Sequence, residues 1–371
     1  MTRLSIALAD TIMARHPDPL TIPFKSWCYV HGYVLTGFEK LFELTGERRL
    51  FAYLKGYVDA HVTRDGEVPA FTGNSMDDMM AGTPIVAAFQ RTGDRRYRKA
   101  AERIRRSFED YPRNSDGGFW HARNLPHEMW IDGVFMGQMF LTRFGAAIGD
   151  RAACFREAVR QIGIVADRLA KGASGLYVHG YDEARAVSWA DKSTGLSSDV
   201  WSEGLGWYAL VLVETLALMR PEDTGWRRVQ SILRGLVEGL SRVQDPKTGL
   251  WYQVVDKGDR DDNWHDTSGS AMFVYAIQRA VELRCVDAEL YSSVARKGYA
   301  GLKTKAKISP DGMVDIRDAC DGVGVQNSYE DYIRYDRVLN AKEAVGSVLW
   351  ASTVMEKPGR PRSPSRGAVS V

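Results

Sequence analysis

The sequence predicts an all-α fold, twelve helices in six hairpins closed into a ring, and three observations carry the prediction. Helical periodicity recurs in about twelve stretches, strand signals are scarce, and one turn motif repeats along the chain. The turn is a small residue, Gly, then apolar or aromatic residues. It reads DGEVPAF from Asp65, DGGFWHA from Asp116, SGLYVHG from Ser174, TGLWYQV from Thr248 and DGMVDIR from Asp311. A second signal, LTGERR from Leu44, RTGDRR from Arg91 and AIGDRA from Ala147, punctuates the other helix ends. Gly there suits the left-handed position that closes a helix, and the charges after it suit the next start.

In chain order the helices are expected at about 3–15, 26–45, 48–63, 77–92, 95–109, 128–148, 151–170, 198–219, 222–243, 265–284, 288–304 and 334–354. Charged, amphipathic stretches such as RRYRKAAERIRRSFE read as outer helices. Stretches rich in aromatic and small residues, such as DVWSEGLGWYALVLVETLALM, read as inner ones, because a helix packed on most sides lacks a broad polar face. An open helical solenoid is the alternative, and the long aromatic loops between helices argue against it. The expected organisation is one domain over 1–356. The tail 357–371 (KPGRPRSPSRGAVSV) lacks a hydrophobic face and reads as a disordered basic end.

The chain has 371 residues and 44% hydrophobic composition, enough for a large core. Lys+Arg is 49 and Asp+Glu is 47, a balance that removes nucleic acid and membrane surfaces as default partners. The 16 Tyr, 10 Trp and 13 Phe can stack on sugars as well as fill a core. Cys28, Cys154, Cys285 and Cys320 form no CxxC pair and read as reduced, buried thiols. The start, MTRLSIALADTIMARHP, reads as an amphipathic helix carrying Asp10, not a signal peptide, and no stretch approaches the ~18 apolar residues of a membrane span. A cytoplasmic location is the expectation. Oligomeric state is not readable.

Acidic residues at inner-helix starts are the chemical signal. Asp77 and Asp78 open one such helix (SMDDMMAG), Asp132 lies near the start of the next (HEMWIDGVFMG), His179 and Asp182 precede a third, and Asp266 opens a later one. If the repeat reading holds, these starts meet at one mouth of the ring. Capping is the ordinary reading of Asp78 and Asp266, since a carboxylate there accepts the free N–H groups of the first turn. Asp132 stands among Trp130, Ile131, Val134, Phe135 and Met136, a setting expected to desolvate it and raise its pKa. Asp77 with Asp132 would make a two-carboxylate site of the kind glycosidases use. A metal reading of DDMM is rejected for want of a second acidic cluster. His265 near Asp262 and Asp266 is one histidine with ordinary carboxylates. Phosphate loops, a GxGxxG before a helix, and Ser or Cys nucleophile motifs are absent.

The run RNSDGGFWHARNLPHEMWIDGVFMG resembles the signature of unsaturated rhamnogalacturonyl hydrolases, glycoside hydrolase family 105, whose relatives are the unsaturated glucuronyl hydrolases of family 88. SWCYVHG, SMDDMMAG, LYVHGYDEAR, WSEGLGWY, DTSGSAMF and NAKEAVGSVLWAS extend the resemblance to about Thr353. It implies an (α/α)6 barrel, the six-hairpin toroid of the helix count. It also implies Asp132 as general acid/base and Asp77 as the second aspartate, with His179 and His121 as pocket histidines. Trp27, Tyr29, Trp201 and Trp207 match aromatic pocket positions. Two departures stand out. Glu203 in WSEGLGWY occupies a position where relatives carry Arg, the natural partner of a uronate carboxylate. Asp78-Met79-Met80 replaces a frequent His-x-Asn. Glu203 is expected to shape the pocket around the sugar, with a structural ion pair as the alternative.

The reaction implied is hydration of the vinyl ether in a terminal 4,5-unsaturated uronate, galacturonyl linked to rhamnose, on lyase-generated oligosaccharides. Proton transfers and charge stabilisation suffice, so no metal or organic cofactor is called for. An unsaturated glucuronyl hydrolase for ulvan- or glycosaminoglycan-type fragments is the alternative within this chemistry. A histidine-based sugar epimerase, an oligosaccharide-binding toroid and an inverting glycosidase on saturated substrate are the other classes left open.

Overall fold

A computed structural model describes residues 3–357. The helices are α1 Leu4–Arg15, α2 Tyr29–Thr45, α3 Arg48–His61, α4 Met76–Met80, α5 Thr83–Thr92, α6 Arg95–Arg106 and α7 Ile131–Ala147. They continue as α8 Arg151–Arg168, α9 Ser202–Leu218, α10 Trp226–Arg242, α11 Thr267–Glu282, α12 Ala288–Lys305, α13 Tyr329–Ile333 and α14 Lys342–Met355. Two small antiparallel sheets complete the described elements, β1 Glu128–Trp130 with β2 Gly180–Asp182, and β3 Ala306–Ile308 with β4 Val314–Ile316.

The packing closes on itself. α2 packs on α4 and α5, these on α7, α7 on α9, α9 on α11, α11 on α14, and α14 on α2. That cycle is the inner ring of an (α/α)6 barrel. α1, α3, α6, α8, α10 and α12 each lie against inner helices from outside. Inner helices are buried nearly all round: on α9 every residue from Ser202 to Leu216 is buried. α6, on the outside, buries only Tyr97, Ala100, Ala101 and Ile104. Close approach at one mouth demands glycine: a Cβ on Gly269 would stand 2.0 Å from the Ser202 hydroxyl.

The repeated turn has one backbone cause. Gly66, Gly117, Gly175, Gly249 and Gly312 all adopt φ between 75° and 91°, a region that L side chains avoid. The second signal holds for Gly46 and Gly93, whereas in AIGDRA the left-handed residue is Asp150.

Two helix expectations need correction. The stretch expected as one helix over 77–92 is broken at Ala81–Gly82, because Pro84 sits in the first turn of α5 and cannot donate to a continuous ladder. The last helix, expected from 334, begins at Lys342. Asn340 takes a left-handed conformation (φ 57°), and its side chain anchors the preceding loop, accepting from Ile316 N–H and donating to Asp315. All four cysteines are free and buried. No helix among the described residues is long and apolar enough to cross a membrane. Residues 358–371 of the expected tail lie outside the described residues. Lys357 is described, and its ammonium donates to Glu282 at 3.0 Å.

Candidate active site

The amino ends of the six inner helices meet at one mouth, and each brings a polar side chain in its first turn or cap. These are Tyr29 on α2, Asp77 on α4, Asp132 on α7, Glu203 on α9, Asp266 before α11 and Glu343 on α14. Helix N-termini carry partial positive charge and unpaired N–H groups, so carboxyls are at home there.

One wall holds Asp77, Asp132 and two histidines. His179 Nε2 lies 3.4 Å from Asp132 Oδ1, and His121 Nδ1 lies 3.8 Å from Asp132 Oδ2. The histidines come from segments that the β1–β2 pairing joins: His121 N–H donates to Glu128 O, and Ile131 N–H donates to His179 O. Trp130 stacks on His121 (4.2 Å between centroids), and Trp201 lies against His179 (4.5 Å). Tyr332 OH is 2.7 Å from His179 Nδ1 and accepts from Gln326 N–H. With the phenol donating to Nδ1, the neutral His179 ring presents its Nε2–H to Asp132. His121 Nδ1, His179 Nε2 and Asp132 Oδ1 are buried without hydrogen-bond partners. Buried polar atoms left unpaired at a mouth are the mark of a place where a ligand or water completes the bonding.

The two aspartates are driven apart electrostatically. Burial pushes Asp77 up to about 6, the charge of Asp132 adding and that of His121 opposing. Burial also pushes Asp132 up, but His121 and His179 outweigh it and hold its carboxyl below the usual range. This corrects the expectation of a raised Asp132: its neighbours in sequence are apolar, while its neighbours in space are imidazoles. Burial lowers His179.

The opposite wall is a buried acidic corner. Ser268 OH donates to Glu203 Oε2 at 2.8 Å and touches both Asp266 oxygens. Tyr29 OH donates to Glu343 Oε1, which also meets Lys342 Nζ at 3.0 Å. Burial raises Glu203 well above the carboxylate range, with Glu343 and Asp266 adding, and raises Glu343 too. Glu203 has no cation within ion-pair distance among the described residues, so the structural ion pair considered above is absent.

Other expectations divide. Asp266 is a cap, accepting from Ser268 and Gly269 N–H. Asp78 is not: Ser75 caps α4, and Asp78 accepts from Thr72 and Asn74 in the preceding turn. Asp182 ties down its own loop through the N–H groups of Ala184, Ala186 and Val187. His265 pairs with Asp245 at 2.9 Å, and the described residues contain no metal-binding cluster. Trp27 is buried and donates to Asp78 O at 3.1 Å, bracing α4. Trp207 is 2% exposed, one turn into the barrel, packed on Tyr33 and Phe135 and edge-on to Tyr29 at the mouth (6.2 Å between centroids). Sequence reasoning missed Trp130, Tyr332 and Glu343 as site residues. Glu343 holds the same first-turn position as Asp77 and Asp132, and the misplaced helix start hid it.

The chain matches the family model Glycosyl Hydrolase Family 88 over residues 5–358. Protein Atu3128 of Agrobacterium fabrum is 32% identical over 228 residues, which cover 58% of this chain and 96% of that protein. A family 105 glycoside hydrolase from C. acetobutylicum is similar in structure, with a TM-score of 0.90 and 28% identity over 96% of this chain and 99% of that one. The unsaturated glucuronyl hydrolase of Bacillus sp. GL1, at 14% identity, shares the fold with a TM-score of 0.71 over 95% of each chain. With the six-hairpin barrel, the carboxyl-lined mouth and a family match running nearly end to end, this chain belongs to glycosyl hydrolase family 88.

Proposed function

We propose that this enzyme removes a terminal 4,5-unsaturated uronic acid from lyase-generated oligosaccharides by hydrating the vinyl ether, with galacturonyl linked to rhamnose as the preferred pair. The observation that carries the reading is the split aspartate pair: Asp77 raised to about 6, Asp132 held low, both at adjacent inner-helix starts beside unpaired imidazole nitrogens. Such a pair titrates as a unit and gives up its last proton at about pH 6, above the ordinary carboxylate range. A proton passes from the pair to C4, and positive charge develops at C5 and the ring oxygen. Water adds its oxygen to C5 and returns a proton to the pair. The C5 hemiketal opens, C1 becomes a hemiacetal, and the aglycone leaves with its oxygen protonated. Asp132, between the two histidines, is the residue assigned to the acid/base step at C4. Asp77, the more readily protonated of the two, supplies the shared proton.

The raised Asp77 favours a second assignment, in which Asp77 protonates C4 directly and Asp132 stays ionised to stabilise the developing charge. Either assignment predicts deuterium at C4 of the released sugar when the enzyme works in heavy water, together with loss of the double bond's ultraviolet absorbance. Digests of rhamnogalacturonan, ulvan and glycosaminoglycan by lyases are the substrates to compare. A product that keeps its double bond overturns the mechanism, and faster turnover of a glucuronyl digest overturns the sugar preference.

A further inference from the structure

A bulky aromatic residue held out to solvent by an unfavourable backbone asks for a reason. Phe24 has φ 92°, in the region that favours glycine, and its ring is 56% exposed. It stands at the rim of the carboxyl-lined mouth. Its ring lies 6.1 Å from that of Tyr29, whose phenol donates to Glu343. The ammonium of Lys342, itself paired with Glu343, sits 5.4 Å from the Phe24 ring. The residues that follow Phe24 run across the mouth: Lys25 acts on the charge of Asp77, and Trp27 donates to Asp78 O.

We infer that Phe24 is a stacking platform for the sugar on the leaving side of the scissile bond, with exposed Lys25 beside it to meet an anionic substituent of that sugar or the next. The inference rests on the proposed function, because it takes the mouth as the place where the unsaturated uronate is held. The chemistry is direct. The ring is too exposed to gain from core packing, while the C–H face of a pyranose can cover it. Burial of that face is favourable without a hydrogen bond. Lys25 Nζ lies 5.9 Å from the ring centre, within reach of a carboxylate or sulfate carried by a stacked sugar. The backbone strain is then the cost of aiming the ring. The structure thus assigns preference for a sugar aglycone, and for an anionic oligosaccharide over a neutral one, to the segment Phe24–Lys25.

The test compares two substrates, an unsaturated oligosaccharide and the methyl glycoside of the same unsaturated uronate. Phe24→Ala is expected to raise KM on the oligosaccharide about 3- to 10-fold, the worth of one aromatic contact. On the methyl glycoside it should leave kcat and KM unchanged. Phe24→Trp should restore the oligosaccharide KM. Phe24→Gly should lose the same affinity yet melt no lower than Phe24→Ala, since glycine relieves the strain. Lys25→Ala should raise KM only for anionic oligosaccharides, and less at high salt. Equal effects on both substrates, or a fall in Tm with unchanged KM, overturn the platform. If the wild type turns over neither substrate, the proposed function fails. The platform is then read from calorimetric affinity for saturated oligosaccharides: a loss in Phe24→Ala supports it, and no change or no binding overturns it.

Discussion

Both mouths of the barrel hold buried charges, and they treat them in opposite ways. At the carboxyl ends of the inner helices, the charges are matched. Lys40 meets Glu214 at 2.6 Å, Arg143 meets Glu39, and Tyr275 OH donates to Glu214 at 2.5 Å. Glu214 is buried, yet Lys40 and Arg279 hold it down to about 2. At the amino ends, Asp77, Glu203 and Glu343 are all raised, and unpaired atoms remain on Asp132, His121, His179 and Glu343. The helix dipoles favour the carboxyls at the amino ends and the cations at the carboxyl ends, where Glu39 and Glu214 run against the dipole and are held by those cations. The lesson is that sign alone does not mark a site. Buried charges matched by opposite charges mark structure, even where Arg143 Nε and Arg279 Nε lack partners, and like-charged carboxyls crowded together mark chemistry.

The strongest way to break that contrast is to neutralise one aspartate at the open mouth. Asp132→Asn is expected to lower turnover by at least ~10²–10⁴-fold, the worth of general acid/base catalysis, with Tm within a degree or two of wild type. Asn is nearly isosteric and still faces His179. Steady-state kinetics on an unsaturated disaccharide with a parallel melting curve checks both halves. A variant that melts early and keeps its turnover would reverse the assignment of the two mouths.

At the closed mouth the same kind of change should act on stability alone. Lys40→Met leaves Glu214 buried with Arg279 as its remaining cation. Breaking a buried pair from one side costs about 3 kcal/mol or somewhat more, several degrees in Tm. Turnover by the folded enzyme should not move. Adding Glu214→Leu to that variant should recover most of the loss, because the uncompensated charge goes with it.

The pH dependence of stability separates the mouths by sign. Glu214 is depressed, so its contribution is fully present above its unfolded pKa, about 4.5, and is lost as pH falls toward 2. Asp77 is raised, so the folded protein binds its proton more tightly than the unfolded chain does. Its cost is absent below about 4 and fully present above about 6. Asp77→Asn should therefore lose activity and gain a few degrees of Tm at pH 7.5, about the size expected of a relieved active-site strain. The gain should vanish at pH 4. An equal gain at both pH values would mean that the cost is not electrostatic.

How much of this was legible in the chain follows from what each signal measures. The repeated Gly turn is a backbone requirement, and it located five helix junctions correctly because no other residue serves there at low cost. Asp77 and Asp132 were legible because first-turn acids recur at the repeat period. The pKa of Asp132 was not legible, since His121 and His179 reach it through β1 and β2 from 11 residues before and 47 after. Trp207 was read as a pocket position from the resemblance; one helical turn past Glu203, it lies behind Tyr29 as a floor to the mouth. Glu343 was lost to a helix start misplaced by eight residues, where Asn340 stops the chain by a local side-chain anchor that periodicity does not register.

The smallest expected effect is the sharpest test of the acidic corner. Glu203 is 1% exposed, lacks a cation within ion-pair distance among the described residues, and stands near Glu343 and Asp266. Burial and the neighbouring carboxyls of Glu343 and Asp266 favour its neutral form over the ionised one. Glutamine copies that form in shape and keeps a carbonyl oxygen for the Ser268 hydroxyl. Glu203→Gln should therefore leave Tm and kcat within about twofold-equivalent limits of wild type at pH 7, below ~0.5 kcal/mol. Glu203→Arg, which brings a charge and a longer side chain into the same space, should instead change substrate preference and reduce Tm. The informative measurement is the difference between Glu203→Gln and wild type across pH 6 to 9. A gap that opens as pH rises would mean that the wild-type corner ionises and the variant does not, and a large loss already at pH 7 would mean that Glu203 works as a carboxylate.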